Sequence, residues 1–412
     1  MTSDQLLRLM SGAAEVVPKG GLQDKLALGR PLRVKLGLDP TAAEVTLGWA
    51  VVLRKLRQFQ DEGHVAVLIV GDFTARVGDP SGRSDTRPRL RKGVVRRYAD
   101  RLLEQFWTIL DRERTEVRYN SDWLEGMDME AILGLTASCT VAQMLERDDF
   151  AKRYAEGRPI SIMEFLYPLL QGMDSVATKA DVELGGTDQK FNLLVGRELQ
   201  RDHGQDPQVA FTMPLLVGTD GVQKMSQSLG NYIGIAEAPD DMYGKLVGLS
   251  DELIPEYRRL VLDFFADPNE AERVAAGLAD GTRDPWLEKR RMACEAVSLY
   301  HGSGAGEEAE ARFDLVHKER GILSEVEVRV IPTEALRAGR VWLPRLLVKL
   351  GVADSNSAAR RLILQGAVRL DGEQVMDQDA DYEPADIDGR VLQVGRREHA
   401  LGVRLQAQGD TE

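Results

Sequence analysis

Three polar residues, Tyr167, Gln171 and Asp174, fall at i, i+4 and i+7 and therefore share one face of a helix. Around them stand Ile160, Met163, Phe165, Leu166, Leu169 and Leu170, so the face is expected to be buried. A buried phenol, amide and carboxylate need partners. Those partners are either one another, in an internal network, or a polar small molecule lying in a pocket. A little further on, Gly185-Gly186-Thr187-Asp188-Gln189 reads as a strand-to-helix turn. Adjacent glycines permit close backbone approach to a ligand, and Asp188 is suited to a ribose hydroxyl.

Three more loops carry candidate chemistry. Leu36-Gly37-Leu38-Asp39-Pro40-Thr41 ends a strand and precedes Leu47-Gly48 and the helical run VVLRKLRQFQ at 51–60. An anion can meet backbone N–H groups and a favourable helix dipole at such a junction, although Asp-Pro-Thr is also an ordinary turn sequence. The segment from Gly71 to Arg83 (GDFTARVGDPSGR) follows a second strand, with Arg87 close behind; Arg83 and Arg87 suit phosphates, or are simply solvated. Between Gly221 and Asn231, Lys224 lies in a Ser/Gly-rich segment able to close over a phosphate chain or to remain a solvated loop.

The elements that must position these loops are short apolar strands near 32–38, 65–70, 117–119, 182–184 and 209–211, alternating with helices near 47–62, 93–110, 130–146, 162–176 and 189–199. That alternation predicts an α/β fold, a doubly wound parallel sheet. Ahead of it, Leu6, Leu7, Met10, Val16 and Val17 read as one face of a short helix. From Pro239 to about Leu323 the pattern is helical, the stretch at 301–312 opening its last helix. A third unit follows Pro332, with helices at 344–350 and 355–365 and strands at 367–370 and 391–394.

The whole chain has 412 residues, 43% of them hydrophobic, and no apolar run near the roughly 20 residues of a bilayer span, which predicts a soluble protein of several domains. A net charge of −13 argues against a generic polyanion binder. Residues 345–369 are an exception, with Arg345, Lys349, Arg360, Arg361 and Arg369 against Asp354 alone. Two distant cysteines, Cys139 and Cys294, support neither a disulfide framework nor a thiolate metal site, and a reducing cytoplasm is the expected compartment. The N-terminal residues show no secretion signal.

Taken in order, GLDPT (37–41), the Leu-Gly of 47–48, GDPSGR (78–83), Tyr167/Gln171/Asp174, GGTDQ (185–189) and KMSQS (224–228) resemble the bacterial tyrosyl-tRNA synthetases, class I aminoacyl-tRNA ligases; SNSAARRLILQGAVRLDG at 355–372 resembles the S4 RNA-binding domain. The resemblance covers about residues 30–405. It implies an N-terminal segment (1–30), a Rossmann-like catalytic domain (31–232), a helical anticodon-region domain (233–330) and an S4-like α+β domain (338–405), assembled as a homodimer. It implies tyrosine, ATP accompanied by Mg²⁺, and tRNA(Tyr) as partners, with no tightly held cofactor and no protein-held metal. Asp79, Tyr167 and Gln171 would hold the substrate ammonium, Gln189 would lie near its carboxylate, and Asp174 would accept from the phenol, with Lys35 and Asp39 in the same pocket. Gly37, Gly48, Trp49, Gly186, Asp188, Met225, Ser226 and Gln227 would meet ATP. Thr41, Thr46, Arg83, Arg87 and Lys224 would stabilise departing pyrophosphate, and Arg345, Lys349, Arg360 and Arg361 would meet tRNA.

The chain departs from the family pattern at three ATP-handling positions. Where relatives carry His-Ile-Gly-His or His-Leu-Gly-His, it reads Thr46-Leu47-Gly48-Trp49, and Gln227 replaces the second lysine of Lys-Met-Ser-Lys-Ser. Lys35 stands where many relatives have a tyrosine that touches the phenol. Each lost transition-state contact would cost about 2 to 4 kcal/mol. Two readings follow: a working ligase whose remaining groups suffice, or a synthetase-like paralogue that binds tyrosine or RNA and activates poorly.

Overall fold

The structure is a computed structural model that describes residues 3–79, 91–263, 269–317, 327–371, 373–394 and 401–406. The elements that carry the site are α1 (Ser3–Met10), β1 (Glu15–Val17), β2 (Arg33–Leu38), α2 (Leu47–Asp61), β3 (Val65–Val70), α3 (Lys92–Phe106), β4 (Thr115–Tyr119), α4 (Ile162–Thr178), β5 (Val182–Gly186), α5 (Lys190–Asp202) and β6 (Val209–Met213). The strands form one sheet in the order β1-β6-β5-β2-β3-β4. β2 to β6 are parallel, and β1 is antiparallel to β6. This is a doubly wound, Rossmann-like α/β sheet. The chain runs outward from β2 through β3 to β4, then returns to β5 on the other side of β2. Ligands of doubly wound folds bind at such a switch point, outside the carboxyl ends of the strands.

Local sequence explains these elements. Val65–Val70 (VAVLIV) is almost wholly buried, as an interior parallel strand requires. Helix α2 starts at Thr46, whose hydroxyl oxygen accepts the Trp49 N–H. Helix α4 starts at Ser161, where the hydroxyl oxygen accepts the Met163 N–H and the Ser161 N–H donates to Glu164. Buried side chains of α2, including Val51, Leu53, Leu56 and Phe59, cover the sheet.

Several segments of the first 160 residues differ from the sequence expectations. Val16 and Val17 do not continue the first helix: α1 stops at Met10, Gly12 takes a positive φ of 72°, and Glu15–Val17 pairs with β6. An otherwise open sheet edge supplies the backbone partners that redirect this valine pair. The expected helix at 130–146 is two helices, Met129–Ala137 and Val141–Met144, because Thr140 caps a new start with Gln143. A further helix, Asp148–Ala155, follows without having been expected.

The chain divides into two compact units, Met1–Glu307 and Glu308–Glu412. In the first, the described residues from Pro239 onward are helical, including Pro239–Val247, Glu270–Ala279 and Pro285–His301. In the second, helices Leu343–Lys349 and Asn356–Leu364 pack through Leu343, Leu346, Leu347, Ala359 and Ile363 against strands Val368–Leu370 and Val391–Val394. Strand Glu327–Val330, inside the range expected to be helical, pairs in parallel with Leu401–Gln406 and belongs to this second unit's sheet. Among the described residues no helix is long and apolar enough to cross a membrane.

Candidate active site

Asp39, just beyond β2, organises one side of the site. Its Oδ2 accepts from the Tyr167 hydroxyl at 3.0 Å and its Oδ1 from the Thr74 hydroxyl at 2.6 Å. Only glycine fits at Gly71 beneath them, since a Cβ there would stand 2.0 Å from Asp39 Oδ1 and 2.3 Å from Thr74 Oγ1. With its O–H donating to Asp39, the Tyr167 oxygen keeps lone pairs for a cation. Burial raises the Tyr167 pKa well above its usual value, so the side chain stays a neutral phenol.

Asp174 lies on the same face of α4. Its Oδ1 accepts from Trp123 Nε1 at 3.0 Å and its Oδ2 from Asn120 Nδ2 at 3.4 Å, while Asn120 also donates to Thr74 at 2.9 Å. Burial pushes the Asp174 carboxyl up to about 7, against the charge of Lys35 and these two donors. The third member, Gln171, donates through Nε2 to Glu183 Oε1 at 3.1 Å and accepts on Oε1 from Asn192 Nδ2 at 3.0 Å. Asn192 also donates to Gln189 Oε1, and Gln189 Nε2 donates to Asp79 Oδ2 at 2.9 Å. Helices α4 and α5 come close enough for this because Gly172 faces Gly196: a Cβ on Gly172 would stand 2.6 Å from Leu199 Cδ1 and 3.3 Å from the Gly196 Cα.

Lys35, on β2, is completely buried. Its ammonium donates to Gln171 O at 3.0 Å, Ser175 Oγ at 2.7 Å and Glu183 Oε1 at 2.9 Å. Three partners account for its three N–H bonds.

The nucleotide-type loops lie along the same sheet edge. A Cβ on Gly37 would meet nothing within 4 Å, whereas one on Gly186 would stand 2.6 Å from Leu215 and 2.7 Å from Asp188. Lys224 forms an ion pair with Asp188 at 2.6 Å. Met225 is buried against the start of α2, its sulfur accepting the Gly48 N–H at 3.4 Å. The Ser226 N–H donates to Asn231 at 2.8 Å, and Gln227 donates to the Glu44 carbonyl. Thr46 is buried as the cap of α2, Trp49 remains 39% exposed in its first turn, and Thr41 is half-buried. Trp49 therefore does not turn into the core. Arg83 and Arg87 lie outside the described residues. Among the described residues no cluster of His, Cys, Asp and Glu is arranged to hold a metal ion.

In the second unit, Arg345, Lys349, Arg361 and Arg369 are all exposed. Arg360 is half-buried, bonded to Asp379 at 2.8 Å and stacked over Trp342 at 5.3 Å.

The three-residue helix face thus joins Asp39, Asp79 and Gln189 in linked polar networks. Sequence reading missed Thr74, Asn120, Trp123, Ser175, Glu183 and Asn192. Glu183 had a readable signal: it is a charge in an otherwise apolar strand, directly opposite another, Lys35, in the β2–β5 register. Asn120 and Trp123 had none, because only the placement of β4 beside β3 brings their loop to the site.

A Rossmann-like sheet whose switch-point edge combines this polar helix face with the GGTDQ and KMSQS loops is the arrangement of a class I aminoacyl-tRNA synthetase. Residues 27–318 match the family described as tRNA synthetases class I (W and Y), and residues 341–386 match the S4 domain. The chain belongs to that synthetase family. It is 52% identical over 401 residues to the tyrosine–tRNA ligase of Moorella thermoacetica, covering 96% of this chain and 95% of that one. It is 47% identical over 400 residues to the tyrosine–tRNA ligase of Thermotoga maritima, covering 96% and 97%. Among solved structures, it shares the fold of the tyrosyl-tRNA synthetase of Archaeoglobus fulgidus complexed with L-tyrosine, with a TM-score of 0.61, 22% identity, and coverage of 75% of this chain and 99% of that one.

Proposed function

We propose that this protein is a tyrosine–tRNA ligase. It activates tyrosine with ATP to tyrosyl-adenylate and pyrophosphate, then transfers the tyrosyl group to the terminal ribose of tRNA(Tyr). The observation that carries this reading is the Tyr167/Gln171/Asp174 face: a neutral phenol oxygen, an amide oxygen and a buried carboxylate on one helix, suited to an ammonium at one end and a phenol at the other. Near-full-length relatives at 46–52% identity named tyrosine–tRNA ligase favour the enzyme over a binding paralogue.

In this reading Asp79, Tyr167 and Gln171 hold the ammonium, Gln189 lies beside the carboxylate, and Asp174 accepts a hydrogen bond from the phenol. Phenylalanine would leave Asp174 without that donor, an unmade bond that costs roughly 1 to 3 kcal/mol or more for a charged group. A carboxylate oxygen of tyrosine attacks the α-phosphorus, and the bond to pyrophosphate breaks. No covalent protein nucleophile is needed, only alignment and stabilisation of the charge growing on pyrophosphate. Gly37, Gly48, Gly186 and Trp49 contact the nucleotide, and Asp188 takes its ribose. Ribose binding exchanges for the Lys224–Asp188 ion pair, releasing Lys224 toward the phosphates, where Thr41, Arg83, Arg87, Met225, Ser226 and Gln227 also act. Mg²⁺ arrives with ATP. Thr46 contributes by setting the start of α2, because its hydroxyl oxygen already caps that helix.

The S4 domain meets tRNA through Arg345, Lys349 and Arg361, with Arg360 held to Asp379. The protein works as a homodimer in the cytoplasm. Met129, Leu133, Val141, Tyr154 and Ile162 are each exposed, apolar side chains of the kind a second copy would cover. The assigned division into catalytic (31–232), helical (from 233) and S4-like (338–405) parts follows the same reading, except that strand Glu327–Val330, first assigned to the helical part, goes with the sheet of the second unit. Incubation with ATP, labelled tyrosine and unfractionated tRNA should place label in acid-precipitable tRNA. No incorporation above a control lacking ATP would defeat the proposal.

A further inference from the structure

Beneath the helix face lies a cluster that the assigned roles do not use. Lys35 and Glu183 are 0% and 1% exposed and form a 2.9 Å ion pair across adjacent strands. Glu183 Oε1 accepts from Lys35 and from Gln171 Nε2 at 3.1 Å; Oε2 accepts from Ser175 Oγ at 2.9 Å and from Gln208 Nε2. A buried ion pair is weak evidence for a stabilising role, since apolar replacements of such pairs are often neutral or stabilising. Its geometry has a specific consequence for Gln171. A carboxylate can only accept, so Glu183 draws the Nε2 end of the Gln171 amide toward the protein interior. The amide oxygen is thereby turned to the opposite side, toward Asn192.

We propose that Glu183, clamped by Lys35, is a positioning residue for the amino-acid substrate: it fixes the orientation of the Gln171 amide so that an oxygen, not an N–H, faces the substrate ammonium. Lys35 has a second effect. Its ammonium bonds the Gln171 carbonyl and Ser175, the residues flanking the Asp174 turn of α4, and its charge favours ionised Asp174. Lys35 therefore acts on the phenol from behind the pocket, through other groups. With all three N–H bonds placed, it has no donor left for the substrate. The inference rests on the reading of Tyr167, Gln171 and Asp174 as the tyrosine pocket.

The test is tyrosine-dependent exchange of pyrophosphate into ATP by the full chain, with KM measured separately for tyrosine and ATP. Glu183→Gln places an amide N–H among donors. It should raise the tyrosine KM about tenfold or more, the effect of one misplaced charged hydrogen bond, with the ATP KM within twofold of the parent. The swap E183Q/Q171E restores an amide-to-carboxylate bond between the two positions, keeps the net charge and puts carboxylate oxygen toward the ammonium. It should recover most of the lost tyrosine affinity. K35M/E183L removes both charges at once and guards against a misfolded single variant; it should fold and show the same selective rise in tyrosine KM. If the folded variants change thermal midpoint while their tyrosine KM stays within twofold of the parent, the pair is only structural and the inference fails. If the parent itself shows no tyrosine-dependent exchange, the reading of the pocket fails instead.

Discussion

Asp174 carries the discrimination in this account, and its protonation makes that role measurable. Burial holds its carboxyl up to about 7. Between the usual carboxylate range and that value the folded chain keeps a proton that the unfolded chain has lost, so this group's contribution to stability is fully present at low pH and lost as pH rises through about 7. Substrate binding runs the other way, because the phenol donates to the ionised form. Lowering the pH from 7.5 to 6 should therefore raise the tyrosine KM roughly tenfold, leaving the ATP KM nearly flat, and Asp174→Asn should abolish the difference. A tyrosine KM independent of pH across this range would remove Asp174 from phenol recognition. The helix-face spacing made Tyr167, Gln171 and Asp174 legible in the amino-acid order alone. Their partners Asn120, Trp123 and Asn192 were not legible, because they come from a loop and a helix that only the packed fold brings to that face.

At the scale of elements, the parallel strands were legible from runs such as Val65–Val70, whose composition leaves no face for solvent. The N-terminus was not, since Val16 and Val17 suit a helix face or a strand equally, and the exposed edge of β6 decided between them. Lys55 ties that N-terminal segment to the domain. From α2 it donates to the carbonyls of Leu9 and Ser11 at the end of α1 and to Gln58, with Phe211 beside it. Burial pushes its ammonium down to about 7. Between pH 7 and the usual lysine range the unfolded chain binds a proton that the folded chain does not, so stability rises with pH there. Urea unfolding should give a gain between pH 7 and 9 that is smaller in Lys55→Met by about 2 kcal/mol. Equal gains in parent and variant would mean that Lys55 titrates normally.

For the whole molecule, net charge proved a poor guide to partners. The balance of −13 conceals a second unit whose helices present Arg345, Lys349 and Arg361 to solvent. Replacing those three by alanine should weaken tRNA binding and lower the slope of log affinity against log salt by about 2 to 3, one phosphate contact each, whereas Arg360→Ala alone, already paired with Asp379, should change it little. An unchanged slope in the triple variant would place the RNA elsewhere. Leu133→Glu should convert a dimer to monomer in sedimentation, and a parent that is monomeric at micromolar concentration would remove the homodimer from the account. That a smaller C-terminal unit follows the sheet was readable from element alternation, whereas its S4 character was readable only from the resemblance of residues 355–372. Strand Glu327–Val330 was not, because its partner Leu401–Gln406 lies far along the chain, beyond the two helices and several short strands of the same unit.

With Thr46, Trp49 and Gln227 in place of two histidines and a lysine, the site should still activate tyrosine. Exchange of labelled pyrophosphate into ATP by the unaltered 412-residue protein tests it most directly. Exchange should depend on tyrosine and not be supported by equimolar phenylalanine or tryptophan. Exchange no faster with tyrosine than without any amino acid would contradict it.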